Sequence, residues 1–97
     1  MSVHFTQVTI GAANTALSAT RTPCYQVIVQ NNQTHDMRVG DSTISSSKGI
    51  LLSQSGDTGV GRIGSVTFGP FPALNIELSQ IFVNGTQNDV VDVIFIK

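Results

Sequence analysis

Cys24-Tyr25-Gln26-Val27-Ile28-Val29-Gln30 is the stretch on which the fold turns. In an extended chain successive side chains point to opposite faces. Tyr25, Val27 and Val29 therefore share one side, and Gln26, Ile28 and Gln30 the other. Residues 31–36 form a polar turn cluster, and a short strand over 37–40 follows, so a β-hairpin is expected. Residues 41–48 are a loop of Asp, Ser and Thr with one Ile, and 49–53 a short apolar strand. Residues 54–61 carry Gly56, Gly59 and Gly61 and read as a surface loop. Residues 62–68 resume as a strand with Ile63, Val66 and Phe68 apolar, until Gly69-Pro70-Phe71-Pro72 breaks the ladder. Leu74, Ile76 and Leu78 make a period-2 stripe. Residues 81–83 precede the turn signal Asn84-Gly85. The last strand, 90–96, is the most apolar, with Val91, Val93 and Phe95 opposite Val90, Asp92, Ile94 and Ile96.

Upstream, residues 3–10 read as a strand that changes phase. Val3 and Phe5 alternate, then Val8 and Ile10 continue on the other parity, which suggests a bulge or an early end. Residues 11–22 are rich in Ala, Ser and Thr, with Leu17 the only large apolar side chain. Pro23 and the Thr/Ser content oppose a helix there. The sum is about seven to nine short strands with turn signals roughly every 8–12 residues, the pattern of an all-β sandwich or small barrel. The expected core comprises Cys24 or Tyr25, Val27, Val29, Ile63, Phe68, Ile76, Phe82 or Val83, Val93 and Phe95.

Composition agrees. Ninety-seven residues form one small domain. Ser, Thr, Asn and Gln are abundant, Val and Ile dominate the 40% hydrophobic fraction, and only 11% of residues are charged. That mix favours strands. Its net charge of −1 and apolar content argue against disorder. Five Lys and Arg in no basic run exclude charge-driven nucleic-acid binding. No apolar run reaches the roughly 18–20 residues that a helical membrane span needs, so no membrane partner is expected. Met1-Ser-Val-His-Phe5 lacks the basic and apolar regions of a secretory signal. The lone Cys24, with no partner for a disulfide, fits synthesis in a reducing cytosol. It reads as a small buried hydrophobe.

Several motif look-alikes fail on context. Gly59-Val-Gly61-Arg-Ile-Gly64 matches the dinucleotide-binding glycine pattern. A polar loop precedes it and strand-type residues follow, where the mechanism needs a strand and then a helix. Gly40-Asp41-Ser42 matches an esterase block, but no His follows His35 to activate the serine. Asp41 instead reads as a turn residue accepting backbone N–H groups. His35-Asp36 lacks the ligand count for zinc. Asp57, Asp89 and Asp92 are too dispersed for a calcium loop. Asn32-Gln-Thr34 and Asn84-Gly-Thr86 are glycosylation sequons in form and turns by composition. No catalytic residues, cofactor or metal are expected, and the chain does not read as an enzyme.

Two blocks carry a resemblance. Residues 24–52 run Cys-Tyr-Gln-Val-Ile-Val-Gln-Asn-Asn, then Met-Arg-Val-Gly-Asp-Ser-Thr-Ile-Ser-Ser-Ser-Lys-Gly-Ile-Leu-Leu. Leu78-Ser-Gln-Ile-Phe-Val-Asn-Gly85 and Val90-Val-Asp-Val-Ile-Phe-Ile96 follow in order. Over residues 22–96 the chain resembles small virion structural proteins of tailed bacteriophages, of the capsid decoration or cement type. The resemblance implies a compact jelly-roll-like antiparallel β-sandwich. It implies attachment to the outer surface of the head, with the major capsid protein as partner and synthesis in the cytoplasm of the host bacterium. An enlarged loop at residues 56–61 is a departure from it. Some relatives look like fibre or tail components, so the alternative is a host-recognition module whose loop at 42–48 binds a glycan.

The expected division is an N-terminal arm or edge strand, residues 1–22, and a sandwich domain, residues 23–97. The arm is expected to touch the capsid or a sister subunit through Val3, Phe5, Ala12, Ala13 and Leu17, with the alanines permitting close approach. Small size and an apolar excess suggest a homo-oligomer, a trimer before a dimer.

Overall fold

The structure, a computed structural model, describes residues 1–56 and 63–97. Asp57, most of the Gly59–Gly64 glycine pattern and the start of the strand expected at 62–68 lie outside the described residues. The fold is all-β. Its strands are β1 (Val3–Thr9), β2 (Thr15–Ala16), β3 (Pro23–Cys24), β4 (Gln26–Gln30), β5 (Met37–Gly40), β6 (Ile50–Leu52), β7 (Ser65–Phe68), β8 (Ile76–Glu77), β9 (Phe82–Asn84) and β10 (Val90–Ile96). One 3-10 turn, Leu78–Gln80, interrupts them.

The strands pair in a nested order. β1 pairs with β10, β2 with β9, β3 with β8, β4 with β7 and β5 with β6, all antiparallel. The chain is thus one long ribbon folded back on itself. Two further pairings, β10 with β4 and β9 with β5, close the ribbon into sheets. The first sheet runs β1-β10-β4-β7 and the second β2-β9-β5-β6, with β3-β8 a separate short pair.

The alternation read in the sequence selects the packed faces. Val27 and Val29 of β4 and Val91 and Val93 of β10 are buried with Met37, Val39, Leu52 and Val83 of the second sheet. Ile10, Leu17, Cys24, Ile76 and Leu78 complete the core, with Phe68 and Phe95 half-buried against it. Tyr25 is half-buried.

Five local expectations change. The phase shift in β1 is not a bulge: its register to β10 is unbroken from Val3↔Ile96 to Thr9↔Val90. Val8 and Ile10 face inward and Val3 and Phe5 face outward, so one regular strand carries apolar groups on both sides. The segment before residue 23 is not an arm lying outside the sandwich. β1 is an edge strand of the first sheet, and Ile10 and Leu17 belong to the core. Nor do residues 31–36 close a hairpin, because β4 and β5 lie in different sheets. Asn31, 2% exposed, turns that corner. Its amide donates to the His35 and Leu52 carbonyls at 2.8 and 3.0 Å, and its oxygen accepts the Gln33 N–H at 2.9 Å.

Ile63, expected in the core, is 54% exposed. It stands three residues before Val66 and so has the opposite parity from Val66 and Phe68. The stripe Leu74, Ile76, Leu78 is strand only at Ile76–Glu77, and Leu74 is exposed. The Glu77 carboxylate accepts the Ser79 N–H and hydroxyl, which starts the 3-10 turn and ends the strand.

Candidate interaction surfaces

The outer face of the first sheet carries an exposed apolar strip. In an antiparallel pair, opposed residues lie on the same face. Phe5 is opposite Ile94 and Ile94 opposite Ile28, while Val3 is opposite Ile96. Val3 is 71% and Phe5 63% exposed. Ile94 is exposed beside them, and Ile28 and Ile96 are half-buried. Polar groups border the strip: Gln7 donates to Asp92 at 2.9 Å across the same pair of strands.

The expected interface residues therefore separate into three groups. Val3 and Phe5 are brought together on this face. Ala12 and Ala13 are exposed in the connection from β1 to β2. Leu17, expected to reach a partner, is 3% exposed and is a correction. Its N–H donates to the Ile81 carbonyl at 2.9 Å, just beyond the β2–β9 pair, which holds the side chain inside its own sandwich. Ile94 joins the face without having been anticipated. The signal was the apolar character of both parities of residues 90–96.

A polar cleft of about 390 Å³ lies on the second sheet, lined by Asp36, Met37, Arg38, Ser46, Leu51, Asn84, Gly85 and Thr86. Strand register assembles it, since Arg38 is opposite both Leu51 and Asn84. The Arg38 guanidinium donates to the Gly49 carbonyl at 3.0 Å, while its buried Nε has no hydrogen-bond partner among the described residues. Asp36 accepts the Gln54 N–H at 2.9 Å. Asn84 donates to Asn14, which in turn donates to the carbonyls of Ser42 and Ile44.

The remaining polar clusters tie loops. Asp41 accepts both the Thr43 N–H at 2.9 Å and its hydroxyl at 2.6 Å, the expected turn chemistry. Those bonds hold its carboxyl below the usual range. His35 pairs with Asp89 at 2.8 Å, joining the corner after β4 to the turn before β10. Burial pushes the Glu77 carboxyl up, but bonds from the Thr22 N–H and from Ser79, with Arg21 nearby, outweigh it and lower it overall. Burial, then the Glu77 charge, push the Cys24 thiol up, against a hydrogen bond from the Gln26 backbone. That thiol is fully buried and poorly disposed to ionise.

Among the described residues no helix is long and apolar enough to cross a membrane, and no three His, Cys, Asp or Glu gather as metal ligands would. No family model, curated protein or solved structure matches the chain.

Proposed function

We propose that this chain is a bacteriophage head-decoration protein that binds the outer surface of the capsid and stabilises it through many modest contacts. The observation that carries the reading is the apolar outer face of the first sheet, where Val3, Phe5 and Ile94 stand exposed in one strip. An antiparallel sheet with water on one side alternates apolar and polar residues. A strip that breaks this rule suits a surface that is covered in use. The low charge helps, because neutral faces desolvate cheaply. Repetition over a shell multiplies weak contacts by avidity.

The nested pairing supports the jelly-roll form of the sandwich. Setting aside the short β3–β8 pair leaves eight strands. The first then pairs with the eighth, second with seventh, third with sixth and fourth with fifth, which is the wrapping of a jelly roll. The ordered sequence blocks that resemble decoration proteins add to this.

The test is rebinding to stripped heads of the virus that encodes the chain, read by co-sedimentation. The wild-type chain pellets with heads. The double variant Phe5→Ser, Ile94→Ser, still folded by circular dichroism, remains in the supernatant. Failure of the wild type to rebind refutes the proposal. A second reading, a host-recognition module, draws on the polar cleft around Arg38 and Asn84, which is of ligand size. It requires binding to host cells that Arg38→Ala abolishes.

A further inference from the structure

We propose that the free edge of β1 pairs antiparallel with β1 of a second copy, so that two first sheets become one continuous sheet. The inference goes beyond the decoration reading, because it concerns the edge of the sheet and not its face. It is a property of the free protein.

The backbone fixes which groups are available. Ser2 and Lys97 exchange both N–H···O bonds, at 2.6 and 3.0 Å, and the Ile10 N–H donates to the Asp89 carbonyl at 2.8 Å. In an antiparallel ladder such pairs recur at every second residue. The even-numbered residues of β1 thus face β10. The N–H and C=O groups of Val3, Phe5, Gln7 and Thr9 point to the other side, where, among the described residues, the first sheet ends.

Edges of monomeric proteins are ordinarily guarded by shortness, a Lys, a Pro or a bulge. The other edges here are short: β2 has two residues, β6 three and β7 four, the last ending at Gly69-Pro70. β1 has seven residues in unbroken register, and Val-His-Phe-Thr-Gln-Val-Thr contains neither Lys nor Pro.

A second copy fits this edge better than a charged partner does. A twofold axis at Thr6 sets Val3 opposite Thr9 of the other copy and Phe5 opposite Gln7. The four residues whose N–H and C=O groups point outward then pair with one another across the axis, for about eight hydrogen bonds. The two Phe5 rings become diagonal neighbours on the outer face, within reach of each other. No like charges oppose, because the strand has no acidic or basic residue except His4. That ring lies stacked on Phe95 at 5.1 Å. Stable interfaces bury roughly 1,200–2,000 Å² in total. One strand pair with two exposed apolar side chains per copy is a small contact of the weak class, so dissociation in the micromolar range is expected. An isologous pair of this kind closes at two subunits, which sets a dimer in place of the trimer expected from composition.

Sedimentation velocity over a concentration series, with hydrogen exchange by NMR, decides the matter. At high micromolar concentration the wild type should reach twice its 10.3 kDa mass. The amides of Val3, Phe5, Gln7 and Thr9 should become protected as the dimer forms. Gln7→Pro removes an N–H that its own ladder does not use and should raise the dissociation constant at least tenfold. Gln7→Lys, which keeps the N–H and adds a guarding charge, should do the same should the proline variant fail to fold. A monomer or a trimer at high micromolar concentration overturns the proposal. So does a dimer in which those amides exchange freely, or one that neither variant weakens. Head rebinding by a monomeric wild type would leave the decoration reading standing while this one falls.

Discussion

Replacing Leu17 by Ala tests whether the first 22 residues belong to the sandwich. Leu17 is 3% exposed and sits in the core cluster with Leu78 and Val83. Truncation removes three carbons. At about 0.8 kcal/mol for each buried methylene-sized group, transfer alone costs about 2.4 kcal/mol. The unfilled cavity adds to this, which places the total at about 2–5 kcal/mol. Against a domain stability of about 5–15 kcal/mol, the variant still folds in all but the least stable case. With a urea slope of about 1 kcal/mol per molar for a domain of this size, the midpoint should fall by about 2 M or more. Ala13→Ser, on the exposed connection a few residues away, is the control and should move stability by no more than about 0.5 kcal/mol. A loss below about 1 kcal/mol for Leu17→Ala would show the side chain lying on an arm, and the assignment of β2 to the second sheet would fail with it.

Asn31→Ala should cost about 1–3 kcal/mol by chemical denaturation, because it removes a donor from the buried Leu52 carbonyl and from the His35 carbonyl and opens the corner between the sheets. Gly69→Ala should destabilise by more than about 1 kcal/mol: its φ is +90°, and a Cβ would meet the Tyr25 carbonyl oxygen at 2.6 Å. The Glu77 carboxyl is lowered in the folded state, so its contribution is present above its unfolded pKa and lost as pH falls through the folded value. Glu77→Gln should therefore flatten the acid side of the stability–pH curve, and an unchanged acid limb would contradict the hydrogen-bonded carboxylate. Cys24 should resist maleimide in the native protein and react on unfolding, as mass spectrometry would show.

Where the sequence was legible, one strand carried its own answer. The packed face of β4 follows from Val27 and Val29 against Gln26 and Gln30, that of β10 from Val91 and Val93 flanking Asp92, and the strand bounds at β5 and β10 follow from flanking turn residues. Non-local choices were not legible. A short polar link such as residues 31–36 looks alike whether it joins neighbours in one sheet or steps between sheets. The choice lies in the Asn31 amide, whose partner at Leu52 is remote in sequence. Leu17 follows a strand of two residues, too short to show a period, so its burial depends on β9 and the Leu78–Gln80 turn arriving beside it. The change of parity in β1 is ambiguous because a bulge and a two-faced strand leave the same trace. The cleft gathers Arg38, Leu51 and Asn84 from three strands and leaves no local pattern at all.

That ambiguity in β1 bears directly on function, because it decides what the first sheet presents outward. The outward positions of the second sheet include Arg38, Gly40 and Asn84, and they hold a polar cleft with its own hydrogen-bond network. Leu51 shares that face opposite Arg38, and the half-buried Phe82 lies opposite Gly40, so apolar groups are interspersed with the polar network there. The outward positions of the first sheet group Val3, Phe5, Ile28, Ile94 and Ile96 toward one end, beside Gln26 and Thr67, and Gln7, Asp92 and Gln30 toward the other, with Thr9 and Val90 beyond them. Stability does not account for the apolar end, since side chains as exposed as Val3 and Phe5 contribute little to burial on folding. Under the proposals above, their contribution comes from burial against a partner. The face and the β1 edge meet at the same strand, so the proposed pairing along the edge would double the apolar strip of the proposed capsid-binding face. Phe5 sits where the two meet, and its replacement by Ser should leave the folded chain intact while weakening both contacts.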